Sequence, residues 1–192
     1  MNSEALDGIL GFLKQAEQLK NVLRSSHTSQ GRPESTAEHS WRLCLMAMML
    51  EDDFPEIDFA RLVKICIIHD LGEAISGDIP AIHQVGLPDK TAQEREDLLT
   101  LLQPLPDAQR AKILDLWDDY SEARSPEARL AKALDKLETI MQHNQGRNPP
   151  DFDYAFNLGY GQRYTGYNDL TQRIRTILDE ETAAHARRQG TN

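Results

Sequence analysis

Apolar residues recur along this chain at three- and four-residue intervals, the period of helices with one face turned to a core. Leu6, Ile9, Leu10, Leu13 and Ala16 set out such a stripe over residues 4–19. Residues 19–31 are less regular, and Pro33 marks a break. Ser35-Thr36-Ala37-Glu38 reads as a capping box, in which Ser35 caps the next helix and Glu38 reaches back. That helix, to about residue 52, is apolar almost all round: Trp41, Leu43, Leu45, Met46, Met48, Met49 and Leu50. Such a helix belongs in the middle of a fold, with Trp41 and the three methionines read as core packing. Asp58 opens a further helix whose inner face is Leu62, Ile65, Cys66 and His69. It is expected to end near Glu73 or Ala74, ahead of the turn-rich Ser76-Gly77-Asp78-Ile79-Pro80.

Further helices follow over residues 89–103, 107–120 and 126–143, the last opened by Ser125-Pro126. Residues 146–168, rich in Gly, Pro and aromatics, read as loop with a short helix near Tyr154. A final amphipathic helix spans residues 170–187. No stretch alternates like a strand. The pattern predicts an all-α fold, one bundle of six or seven helices over residues 1–188, with a frayed tail at 189–192.

Composition narrows what this bundle does. The 192 residues suffice for one sizeable core. The net charge of −10 argues against a grip on a polynucleotide backbone, which needs clustered positive charge. It still allows a small anionic substrate held by a metal and one or two cations. The longest apolar run, residues 43–50, is far too short to span a membrane. No basic stretch precedes an apolar segment at the N-terminus, so a signal peptide is not expected. Cys44 and Cys66 lie in apolar runs and read as buried free thiols. A soluble, cytoplasmic protein is the expectation.

The chemistry concentrates where apolar helices carry polar residues. Ile65-Cys66-Ile67-Ile68 runs straight into His69-Asp70, and Glu73 follows three residues later. Imidazole and carboxylate are costly against a core unless paired or metal-bound. If the helix continues to Glu73, that carboxylate stands at i+4 from His69. His39 sits in the first turn of the helix capped by Ser35, and Asp135 beside the stripe Leu130, Leu134, Leu137 and Met141. Each alone is ordinary: a helical His is more often a cap or a satisfied core residue, and Asp135 can pair with Lys136. Together, two imidazoles and two carboxylates on three core helices make a donor set for an octahedral divalent ion with open positions for water. Such mixed nitrogen and oxygen donors fit Mn, Fe, Co, Ni or Zn better than Mg alone.

The order His39, His69-Asp70, Asp135 resembles that of the HD-domain metal-dependent phosphohydrolases. The branch it is most similar to contains the 5′-deoxynucleotidases and HD-domain-containing protein 2. Residues 32–40 (Arg-Pro-Glu-Ser-Thr-Ala-Glu-His-Ser), 68–80 (Ile-His-Asp-Leu-Gly-Glu-Ala-Ile-Ser-Gly-Asp-Ile-Pro) and 134–138 (Leu-Asp-Lys-Leu-Glu) carry the resemblance. It implies one divalent metal held by His39, His69, Asp70 and Asp135. The implied reaction is removal of the 5′-phosphate from (deoxy)nucleoside monophosphates by attack of a metal-bound water. Glu73 matches the family's catalytic carboxylate, Asp78 a carboxylate near the sugar, and Arg24 a substrate-binding Arg. Relatives commonly carry a Trp just after that Arg, where this chain has Ser25-Ser26-His27. Two-metal HD relatives need more His ligands between Asp70 and Asp135 than the single His83 found there. Relatives form dimers, so a homodimer is among the assemblies that the resemblance allows. Other readings keep the fold but take a nucleoside triphosphate, a guanosine alarmone or another phosphate ester as substrate, or turn the domain into a non-catalytic nucleotide or metal sensor. His27, His83, His143 and His185 read as loop or helix-surface residues.

Overall fold

The computed structural model describes residues 2–80, 82 and 90–189. Its centre is a twenty-residue helix, Pro126–Gln145, which for reference is α7 of ten α-helical segments among the described residues. Ser125 Oγ accepts from the Ala128 amide at its start, and Pro126 supplies the preset first turn. Leu130, Leu134, Leu137 and Ile140 are fully buried along it. Around α7 pack α2 (Thr36–Met49), α3 (Phe59–Ile68), α6 (Asp107–Glu122) and α10 (Asp169–Gln189). A second apolar cluster joins Leu98, Leu101 and Leu102 of α5 (Thr91–Leu101) and the residue after it to Trp117 of α6. Helix α1 (Ser3–Ala16) lies on that cluster through Ile9, Phe12 and Ala16. The short segments are α4 (Glu73–Ser76), α8 (Tyr154–Gly159) and α9 (Gln162–Thr165). The architecture is thus all-α, with seven helices of ten residues or more among the described residues. None is long and apolar enough to cross a membrane.

Four features depart from the sequence expectation. Residues 23–35 form an antiparallel hairpin, β1 (Leu23–His27) and β2 (Pro33–Ser35), paired Leu23 with Ser35 and His27 with Pro33. The hairpin hides from pattern reading because its inward residues, Ser26 and Glu34, are polar. Gly31, at φ 82°, closes its turn.

Second, α2 is not buried all round. Trp41 and Met49 are about two-thirds exposed, at 66% and 65%, and Leu45 and Met48 also face outward. Only Leu43 and Ala47 of its apolar residues are buried, with Met46 partly so. Third, the stripe of α1 splits: Leu6, Leu10 and Leu13 stay exposed while Ile9 and Phe12 make the contact. Fourth, α3 stops at Ile68. The chain then tightens through i→i+3 bonds from the Leu71 amide to Ile68 O and from the Glu73 amide to Asp70 O, each 3.0 Å. Glu73 therefore begins α4 instead of stacking on His69 one turn along a continuous helix. The expected start of α5 at Asp89 and the tail beyond Gln189 lie outside the described residues.

Gly72 explains why the turn is so tight. A Cβ there would lie 2.5 Å from the Glu94 carbonyl oxygen of α5. Gly72→Ala is accordingly expected to destabilise the protein by roughly 1–3 kcal/mol, since the obstructing atom is helix backbone and cannot swing away. Denaturant melts of the two proteins would measure it, and equal midpoints would show that α4 and α5 are not held this closely.

Candidate active site

Three elements converge on one buried point. His39 comes from α2, His69 and Asp70 from the end of α3, and Asp135 from α7. His39 Nε2 lies 3.2 Å from Asp135 Oδ1 and 3.9 Å from Asp70 Oδ2. His69 Nε2 lies 3.1 Å from Asp70 Oδ2 and 4.0 Å from Asp135 Oδ1. The four residues assembled from the sequence are thus brought together, with the imidazoles and Asp135 buried and Asp70 edging into the cavity.

Each ring is fixed from behind. His39 Nδ1 is hydrogen-bonded to Glu138, whose other oxygen accepts from Arg42 Nε at 2.6 Å. His69 Nδ1 bonds to the Cys66 carbonyl at 2.8 Å. In the neutral rings, with Nδ1–H donating backward, both Nε2 atoms would present lone pairs to a metal at the centre. Neither has a well-directed hydrogen bond, although both are buried. Asp135 is arranged likewise: Oδ2 accepts from the Tyr120 hydroxyl at 2.6 Å and from Lys136 Nζ at 2.8 Å, while Oδ1 faces the imidazoles.

The donor set fits a divalent ion. Ligand atoms about 2.1 Å from a metal and at right angles stand roughly 3 Å apart, which the two shorter separations match. Electrostatics agree. Burial and Arg24 oppose a charge on His39, yet Glu138 and Asp135 outweigh them and hold its pKa at about 9. Burial likewise opposes charge on Asp70, but His69, His39 and Arg24 keep that carboxyl well below its usual range. The centre draws positive charge, and His39, His69 and Asp70 form a group that could hold a metal ion, with Asp135 Oδ1 beside both imidazoles.

Above the centre opens a cavity of about 870 Å³. Arg24 reaches it from β1, with Nη1 3.4 Å from Asp70 Oδ2, Nη2 donating to Thr139 Oγ1 at 3.0 Å and Nε 3.5 Å from Glu34. Glu73 is buried beside it. Thr36 Oγ1 donates to one of its oxygens at 3.3 Å and Lys90 Nζ to the other at 3.2 Å. Burial, then Asp70 and Asp78, push the Glu73 carboxyl up to about 9, against the pull of Lys90. Lys90 itself keeps its charge on Glu94, 2.6 Å away. Asp78 lines the same wall, 4.0 Å from Lys90.

Sequence reasoning missed several partners. Glu138 had a readable signal: like Asp135, it is an acid embedded in the inward stripe of α7. Thr139, Tyr120 and Lys90 had none, since ordinary helix residues gain their place here only through packing. His143 was expected at a surface or loop and is instead buried, with Nδ1 3.1 Å from Asn157 Oδ1. His185 stacks on Tyr154 with ring centroids 4.8 Å apart, and His27 is half-buried on the cavity rim. His83 lies outside the described residues.

Comparisons with known proteins bear on the same elements. The 5′-deoxynucleotidase HDDC2 of Danio rerio is 34% identical over 142 residues, covering 73% of this chain and 70% of that protein. The 5′-deoxynucleotidase hdd1 of Schizosaccharomyces pombe is 31% identical over 178 residues, covering 90% and 82%. Among solved structures, a predicted metal-dependent phosphohydrolase from Magnetospirillum magnetotacticum MS-1 is similar at a TM-score of 0.78. Its identity is 25%, over 98% of each chain. The family model described as HD domain matches residues 16–175, a stretch that holds Arg24, both imidazoles and all the site carboxylates. With the match spanning every element that builds the centre, the chain belongs to the HD-domain family.

Proposed function

We propose that residues 1–188 form a single domain that removes the 5′-phosphate from (deoxy)nucleoside monophosphates, using one divalent ion held by His39, His69, Asp70 and Asp135. The observation that carries this reading is the pair of buried Nε2 atoms, without a directed hydrogen bond, facing two carboxylates at the base of a cavity with room for a nucleotide. The relatives named 5′-deoxynucleotidases support the substrate class. The donor types admit Mn, Co, Fe, Ni, Zn or Mg. Free, buried thiols at Cys66 and, in part, Cys44 fit a reducing compartment such as the cytoplasm. The outward Trp41, Leu45, Met48 and Met49 fit a face covered in a homodimer.

When bound, a divalent ion supplies Lewis acidity that makes water nucleophilic near neutral pH. The chain's own residues do the rest. Arg24 offers guanidinium protons to phosphoryl oxygens as they carry charge through the transition state. Glu73 takes the proton of the attacking water. In the free site its raised pKa favours the acid form, and the Asp70 charge is the second-largest cause. Neutralising Asp70 removes that repulsion and brings Glu73 toward a range where it serves as a base. Thr36 and Lys90 hold its two oxygens in place. Asp78 accepts a hydrogen bond from the sugar 3′-hydroxyl.

Purified protein supplied in turn with Mn, Co, Mg and Zn is expected to release phosphate from deoxynucleoside monophosphates. Release from none of a full nucleotide panel would reject the reading, and analysis of the products would reveal pyrophosphate or triphosphate release instead. Glu73→Gln is expected to keep the metal and lower kcat about 10²- to 10⁴-fold. The same variant carries a stability signature. The metal-free fold favours protonated Glu73, so it loses stability as pH rises from the ordinary value of 4.5 toward about 9. Glu73→Gln lacks that loss, so its melting temperature should gain on the wild type across this window, and parallel curves would contradict a buried, neutral Glu73. Glu138→Gln, by loosening His39, should weaken metal binding roughly 10- to 100-fold in a competition titration with a chelator.

A further inference from the structure

One cation of the cavity stands apart from the others. Lys132 lies on α7 one turn before Asp135, on the same side of the helix, and lines the cavity. Its Nζ stands 4.1 Å from the centroid of the Tyr120 ring and 5.2 Å from that of Tyr164. The other cations of the cavity are engaged with carboxylates: Arg24 with Asp70 and Glu34, Lys90 with Glu73 and Glu94, Lys136 with Asp135. Among the described residues, no carboxylate lies within ion-pair distance of Lys132.

Its seat ties it to the centre. Tyr120, the ring beneath the ammonium, donates its hydroxyl to Asp135 Oδ2 and meets the His69 ring edge-on, with centroids 5.0 Å apart. Aromatic faces attract an ammonium but accept no full hydrogen bond, which leaves three N–H donors to be satisfied. Arg24 is anchored on Thr139, one turn beyond Asp135. Lys132 and Thr139 are seven residues apart on one helix, roughly 10 Å along its axis, with Asp135 between them. Long side chains reaching inward from both sides of Asp135 can close on one phosphate.

We propose that Lys132 is a substrate-binding residue whose ammonium donates to a terminal phosphoryl oxygen, across the site from Arg24. The inference rests on the nucleotidase reading for its substrate and adds a phosphate-binding residue to it. A phosphate monoester has three non-bridging oxygens, enough to meet Lys132, Arg24 and the centre at once. A diester has two and leaves one of these groups unmatched. Three such contacts match the monoester of the nucleotidase reading. Burial and the neighbouring Lys136 pull the Lys132 pKa down to about 8, a cost that a bound dianion offsets.

The test is equilibrium binding of inorganic phosphate to the Mn-loaded full chain, beside binding of the uncharged nucleoside. Lys132→Met should weaken phosphate binding roughly 10- to 100-fold, the strength of a charge-assisted hydrogen bond. It should leave nucleoside binding unchanged, and Lys132→Arg should recover most of the loss. Should Lys132→Met melt early, Lys132→Gln makes the same comparison. Phosphate affinity equal in variant and wild type, nucleoside binding lost in parallel, or no phosphate binding by the wild type would each overturn the proposal. Turnover is scored separately. A wild type that binds phosphate through Lys132 and hydrolyses no nucleotide would reject the nucleotidase reading and leave this one standing.

Discussion

The site depends on two imidazole rings held with their inner nitrogens bare. A buried, unpaired nitrogen is costly, and proteins usually satisfy it. Here the rings are tied by Nδ1 to Glu138 and to the Cys66 carbonyl, so neither can turn to find another partner. Asp135 is tied in the same manner through the oxygen that faces away from the centre. The whole donor set is thus aimed by contacts behind it. The aiming groups sit on α3, α6 and α7, which pack on one another through the main core.

This arrangement concentrates negative charge in the interior. Asp70, Asp135, Glu138, Glu34 and Glu73 lie close around the centre, countered by Arg24, Arg42, Lys90 and Lys136. Buried ion pairs contribute little net stability, because desolvation cancels much of the attraction. The fold is held instead by apolar burial along α7 and in the cluster around Leu98 and Trp117. Fully burying a leucine contributes about 1.5–3 kcal/mol, and α7 alone has three such leucines. That surplus lets the protein keep a charged cluster that its own stability does not need.

Much of this was legible in the sequence because helical period and chemical oddity coincided. His39, His69, Asp70 and Asp135 stood out as polar groups where a core face was due, and the fold brings all four together. The long helices were readable from their stripes and caps; Ser35 and Ser125 cap as expected. What stayed hidden depends on tertiary choice. The hairpin carries polar inward residues, so alternation never showed. The outward face of α2 looked like core because apolarity alone does not say which side is covered. The end of α3 is hidden because His69 and Gly72 keep near-helical geometry while Gly72 presses against α5.

The hairpin has a consequence for how such a protein can change. The four centre residues sit on, or at the very end of, helices locked into the core, whereas Arg24 arrives on a two-stranded ribbon and Asp78 on the segment after α4. The ribbon's turn rests on the end of α7, where the Thr28 carbonyl accepts from the Arg147 amide, and only Ser29 and Gln30 at its tip are exposed. Those two tip residues can therefore vary without shifting a helix. On the proposed roles, Arg24 and Asp78 meet the substrate from parts of the chain outside those helices, so descendants of this architecture can exchange these two contacts while keeping the four centre residues intact.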